Sequence, residues 1–212
     1  MKAQEFWRNF DNQINFDRSI LESAWDNATL FTTEIKETIK NVIRITHKEA
    51  KDYIPKHSYA YEEYVMQTEY FNIDIVAWQQ KKDNDFYNIE NGISNYKFEK
   101  IAWNFDISVE HENACKKWAD EVIKLAYIFC DLRVVIGYFP YIKEGKEETQ
   151  QKYLDAVSET IKTLKCRDNM KHGEFMIILG DVGGNEADGF KKLVYTPYQY
   201  NIDKERFELL KK

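Results

Sequence analysis

Glycine is absent from the first 91 residues, and the 212-residue chain carries only three prolines, Pro55, Pro140 and Pro197. With so few breakers, long uninterrupted elements are expected, and no linker-like stretch divides the chain. Cysteine is equally sparse. Cys115, Cys130 and Cys166 are odd in number, widely spaced and free of any CxxC pair. A disulfide framework or a zinc knuckle is therefore not expected, and reduced buried thiols of a cytoplasmic protein are the default. No apolar run approaches the roughly 20 residues needed to span a bilayer. The opening MKAQEFWRNFDNQ has no apolar h-region, so neither export nor membrane insertion is expected. An excess of basic charge is also missing. The formal net charge is −6 and the pI about 5.4, which argues against a nucleic-acid coat or a basic membrane-surface protein. An enzyme acting on nucleic acid survives that exclusion, because bound divalent cations offset a cluster of carboxylates.

Core-forming residues are abundant. The hydrophobic share is 43% and the aromatic share 15%, and aromatic side chains bury large areas when packed. Disordered chains are poor in such residues. A single α/β domain is expected, with 1–31 as an N-terminal helical extension and 32–140 as a core. Residues 141–212 would extend the same sheet.

Phe6, Phe10, Ile14 and Phe16 recur at near-helical spacing, predicting a helix over Phe6–Leu21. Thr32 or Thr33 can cap a second helix, in which Ile35, Ile39, Val42, Ile43 and Thr46 form one apolar stripe; Pro55 marks its latest end. From Tyr59 the period changes, and aromatic and β-branched residues predict strands over 60–68 and 70–79. A polar excursion with a turn at Asn91-Gly92 follows, then a strand over 101–112. NACKKWADEVIKLAYIFC reads as a helix with Trp118, Val122, Leu125, Ala126 and Phe129 on one side. The almost wholly apolar RVVIGYFP reads as a strand buried inside a sheet. A helix over 148–165, the strand EFMIILGD and a last strand near 191–196 complete the chain. The expected architecture is a mixed central β-sheet flanked by helices, an αβββαβ core with a C-terminal α-β-β extension.

Two segments carry chemistry. In FNIDIVAW, Asp74 interrupts an apolar strand, and alternation sets it on one face with Asn72 and Val76. In FDISVEHE, Glu110 and Glu112 are two apart and share a face with Asp106 and Ser108, while Ile107, Val109 and His111 point the other way. A carboxylate in an apolar strand is costly unless it is paired or holds a metal. Converging carboxylates suit a hard divalent cation such as Mg²⁺, which can activate water against a phosphodiester.

The αβββαβ order, with Asp74 in the second strand and Glu110-His111-Glu112 in the third, resembles the PD-(D/E)xK nuclease superfamily, which includes many type II restriction endonucleases. The resemblance covers roughly residues 32–140. Two departures stand out: no proline precedes Asp74, and Glu112 occupies the usual lysine position. Lys116 or Lys117, in the following helix, would then supply the positive charge. The resemblance implies an endonuclease hydrolysing DNA with Mg²⁺, for which Mn²⁺ can substitute, with Asp74, Glu110 and Glu112 as metal ligands and a homodimer as one arrangement. A further acidic group would come from Glu34, Glu37, Glu49, Glu63 or Glu69.

Other readings stand beside these. Asp74 can pair with a lysine or arginine as a buried structural ion pair. Glu110 and Glu112 can form a solvated strand end, with Glu112 near the start of the next helix, where negative charge is favourable. His111 is read as a packed or surface histidine, and His47, His57 and His172 as isolated ones. ILGDVGGNEADG lacks the spacing of a phosphate loop and reads as a turn. Cys115 lacks the partners of a thiol nucleophile. The aromatic tract 59–71 can stack on bases, although core packing is its commoner fate. The rival function is a catalytically inactive nuclease-like fold that binds nucleic acid or protein.

Overall fold

The computed structural model describes residues 1–54, 63–70, 72–79, 105–114, 117–182 and 193–211, together with the backbone of 86–88 and 97–99. The Asn91-Gly92 turn, the glycine-rich stretch 183–192, His57, Cys115 and Lys116 lie outside the described residues.

The chain opens with three helices, α1 (Ala3–Phe16), α2 (Arg18–Ala24) and α3 (Ala28–Thr46). Phe6, Phe10 and Ile14 of α1 are buried at four-residue spacing. Phe16 falls off that stripe and is 82% exposed, contrary to its expected place in it. Helix α3 starts before Thr32 and Thr33. Its cap is Asn27, whose side chain accepts from the Leu30 N–H, while both threonine hydroxyls donate back to carbonyls one turn earlier. Asn satisfies the orphan donors of a first turn better than Thr.

Strands follow: β1 (Lys51–Asp52), β2 (Tyr64–Tyr70), β3 (Ile73–Gln79), β4 (Phe86–Asn88), β5 (Lys97–Glu99) and β6 (Phe105–His111). The chain continues through helix α4 (Trp118–Ala126), strand β7 (Cys130–Pro140), helix α5 (Lys146–Thr163) and a 3₁₀ helix (Lys165–Lys171). It ends with β8 (Glu174–Val182), β9 (Tyr195–Asn201) and β10 (Arg206–Leu209). Eight strands form one sheet in the order β1-β2-β3-β6-β7-β8-β9-β10, with β4 and β5 as a separate pair. The pairs β2–β3, β3–β6, β8–β9 and β9–β10 are antiparallel, whereas β1–β2, β6–β7 and β7–β8 are parallel. The order α3-β2-β3-β6-α4-β7 is thus an αβββαβ unit in a mixed α/β sheet, with the β4–β5 hairpin inserted before its third strand. The C-terminal extension carries three strands rather than two. Its penultimate strand lies later than 191–196, and β1, β4, β5 and β10 are too short to leave a periodic signal in the sequence.

Both faces of the sheet are covered. On one face Ile75, Val109, Val134 and Ile136 pack with Phe6, Phe10, Ile35 and Ile39 of α1 and α3. On the other, Val76, Val135, Ile177 and Leu179 pack with Val122 and Leu125 of α4 and Leu154 and Ile161 of α5. Adjacent Val134 and Val135 serve opposite cores, as strand alternation requires. Helix α4 stops short of Phe129, which is 56% exposed rather than part of the helix's buried side.

Candidate active site at one end of the sheet

The β2–β3 hairpin closes tightly, with Tyr70 paired to Ile73. Asn72, in its turn, adopts the left-handed region at φ 59°, a conformation Asn tolerates better than most residues. Strand β3 then pairs with β6, Ile75 opposite Val109. One further step in that register sets Asp74 opposite Glu110. Both stand at the end of the sheet where the parallel strands β6, β7 and β8 finish, the side on which open α/β sheets place their ligands.

Each carboxylate meets an ammonium from a different helix. Lys36 of α3 lies 2.8 Å from Asp74 Oδ1 and also pairs with Glu69. Lys124 of α4 lies 2.7 Å from Glu110 Oε1 and also pairs with Glu121. Burial would lower the pKa of both lysines, but the flanking carboxylates outweigh it and raise both. Lys124 donates in addition to the Asn72 carbonyl at 2.8 Å, tying α4 to the hairpin turn. The arrangement is two carboxylate–ammonium–carboxylate triads drawn from β2, β3, β6, α3 and α4.

Glu110 is 3% exposed. Desolvation pushes its carboxyl up to about 8, helped by Asp74 and Glu121 and opposed by Lys124. Its Oε1 has the Lys124 ammonium, 2.7 Å away, as its partner. The second oxygen of Asp74, Oδ2, accepts the His111 N–H at 2.7 Å. The His111 ring points to the α1–α3 side, where its Nε2 lies 3.1 Å from the Tyr138 hydroxyl and Tyr138 lies 3.2 Å from that of Tyr195. Burial lowers this imidazole to about 4, with Asp74 opposing the shift. His111 is a packed neutral histidine, not a base facing the carboxylates.

Glu112 has left the strand. Its Oε1 accepts the Ala114 N–H at 2.6 Å, in the turn leading to α4. Lys117 is exposed at the residue before α4. The cations at the carboxylates are instead Lys36 and Lys124, which sequence reasoning did not single out. Both lie beside an apolar stripe, but stripe position alone does not say which strand end a long side chain reaches. Of the five candidate further acids, Glu69 joins the cluster through Lys36. Glu37 pairs with Lys40. Glu63 pairs with Lys51 and lines, with exposed Glu49, a cavity at the other end of β2. Glu34 makes no ion pair among the described residues.

The donors here are hard oxygens, of the kind that Mg²⁺ prefers. Among the described residues, however, no three His, Cys, Asp or Glu side chains are grouped closely enough to hold a metal ion. Asp74 and Glu110 each hold an ammonium, of Lys36 and of Lys124, where a cation would otherwise sit. No described helix is long and apolar enough to cross a membrane. The class these elements define is an α/β protein with a mixed sheet covered by helices on both faces and two carboxylates, buried Glu110 and half-buried Asp74, at one sheet end. The chain matches no family model, and no curated protein or solved structure is similar to it.

Proposed function

We propose that this chain is a divalent-metal-dependent nuclease of the PD-(D/E)xK kind that hydrolyses phosphodiester bonds in DNA. The observation that supports it is the placement of Asp74 opposite Glu110 on adjacent antiparallel strands of an αβββαβ unit. Asp74 and Glu110, and Glu112 beside them, are the residues that would hold the cation. The chemistry a bound Mg²⁺ or Mn²⁺ supplies at such a site is Lewis-acid activation of a phosphodiester. Lys36 and Lys124 keep the two carboxylates apart in charge and, when a phosphate arrives, neutralise its oxygens. Lys117, the residue before α4, or Lys116, next to it in sequence, would add to that positive charge. The protein would work in the cytoplasm, and as a homodimer it would bring one site to each strand of a duplex.

A second reading rests on a specific feature. Both carboxylates already have ammonium partners, as in a nuclease-like fold retained for binding nucleic acid or protein without catalysis. Supercoiled plasmid incubated with Mg²⁺ or Mn²⁺ separates the two. Cleavage by the parent and its loss, by a factor of at least about 100, in Asp74→Ala and Glu110→Ala is the expected result. No cleavage, together with no rise in thermal stability on adding either cation, would favour the binding module.

A further inference from the structure

Each lysine at the sheet end stands between two carboxylates, an inner one on the sheet and an outer one nearer solvent. Lys36 lies 2.8 Å from Asp74 Oδ1 and also pairs with Glu69, whose side chain is 66% exposed against 17% for Asp74. Lys124 lies 2.7 Å from Glu110 Oε1 and also pairs with Glu121, the two carboxylate side chains being 4% and 22% exposed. The Asn72 carbonyl, 2.8 Å from Lys124 Nζ, is a third acceptor. An ammonium donates three protons, so Lys124 has one oxygen for each.

Leaving the inner carboxylate strands neither lysine. The charge sits on a flexible four-carbon stem, and both side chains are partly open to water. Lys36 would keep Glu69, and Lys124 would keep Glu121 and the Asn72 carbonyl. The inner carboxylates have no such reserve. Asp74 Oδ2 retains the His111 N–H, but Asp74 Oδ1 and Glu110 Oε1 would lose the ammoniums that compensate them. A carboxylate so placed needs another positive charge to stay ionised. Two cations cannot share one oxygen at close range without strong repulsion, so an ammonium and a divalent cation exclude each other there.

We infer that Lys36 and Lys124 form a displaceable lock on this site: each ammonium must leave its inner carboxylate for its outer one, Glu69 or Glu121, before Asp74 and Glu110 can take a divalent cation. The inference rests on the nuclease reading and adds its regulation. Competition by the ammoniums weakens cation binding, and whatever holds the ammoniums elsewhere strengthens it. A phosphodiester does so, because its oxygens accept from the same N–H groups. Cation and nucleic-acid backbone therefore favour each other, and such coupling is reciprocal.

Titration calorimetry of the full chain with Mn²⁺, in phosphate-free buffer and without nucleic acid, tests the lock with no reaction running. Lys36→Met and Lys124→Met should each tighten Mn²⁺ binding at least about tenfold, since each removes a competitor from one inner oxygen. Lys40→Met is the control. It takes the same charge from α3 at an ammonium paired with Glu37 and Asp52, and should change the affinity less than about threefold. A measurement on the parent chain needs no variant to fold: with ¹³C in the lysine ε-methylenes, saturating Mg²⁺ should shift the Lys36 and Lys124 signals and leave that of Lys40 unmoved. Equal or weaker Mn²⁺ binding in both methionine variants, an equal gain in Lys40→Met, or Lys36 and Lys124 signals indifferent to Mg²⁺ would each overturn the lock. If the parent binds Mn²⁺ and cuts plasmid while neither variant gains affinity, the lock fails and the nuclease stands. If none of the four proteins binds Mn²⁺, both fail.

Discussion

Glu110 concentrates the electrostatics of the molecule in one carboxyl, surrounded by Lys124, Glu121 and Asp74. Raised from an ordinary 4.5 to about 8, it keeps in the folded chain a proton that the unfolded chain releases. Stability from this group is therefore lost as pH rises from about 4.5 to about 8. His111 has the opposite sign. Lowered from 6.5 to about 4, it favours the fold increasingly as pH climbs through that interval. Above about 6.5 the Glu110 effect stands alone. Replacing Glu110 with Gln should stabilise the protein at pH 8 by roughly 1–3 kcal/mol and by less at pH 5, after allowing for the partner Lys124 loses. Urea denaturation at the two pH values measures it; an identical difference at both would mean that Glu110 is ionised throughout. Asp74 was recognisable in the sequence as a lone carboxylate in an apolar strand. Its lysine partner was foreseen as a type of partner but not as Lys36.

Among the elements, α4 and β7 meet closely. A Cβ added at Gly137 in β7 would lie 2.4 Å from the Trp118 Cβ, and Trp118 is 1% exposed. The absence of a side chain at this position lets the first turn of α4 lie on the strand, and α4 in turn carries Lys124 to Glu110. Gly137→Ala should cost about 1–3 kcal/mol through overpacking, read as a lower urea midpoint, and should weaken any cation-dependent activity with it. An unchanged midpoint would show that the helix can shift without strain. Periodicity was enough to locate α1, α3, α4 and α5 and the long strands, because each repeats an apolar residue at its own spacing. It misplaced their ends. Asn27 rather than Thr32 or Thr33 opens α3, and Phe129 lies beyond α4, because a cap is a local hydrogen-bond choice that the stripe does not report. Alternation likewise set Asp74 with Val76, whereas Val76 packs toward α4 and Asp74 reaches Lys36 of α3. Glu69 and Asn72, on either side of the β2–β3 turn, both adopt the left-handed region.

At the scale of the whole molecule, one eight-stranded sheet separates two cores that share every long strand. Because Val134 and Val135 are neighbours on β7 yet serve opposite cores, neither core can be lost while the strand stays in place. Urea unfolding followed by far-UV circular dichroism and by tryptophan fluorescence should give coincident transitions. Two separated midpoints would divide the chain into independent units. What the sequence determined by itself was whatever short-range periodicity and composition can specify: an α/β chain, the order of its main elements, and the isolated acids Asp74 and Glu110. Tertiary structure alone decided which charges meet. Strand register set Asp74 opposite Glu110, and helix packing brought Lys36 and Lys124 from residues 38 and 14 positions away in the chain. It also folded Trp25, Phe31, Asn113 and Tyr138 around one cavity. Contacts between residues so far apart depend on how the layers close, and no local pattern of side chains encodes that distance.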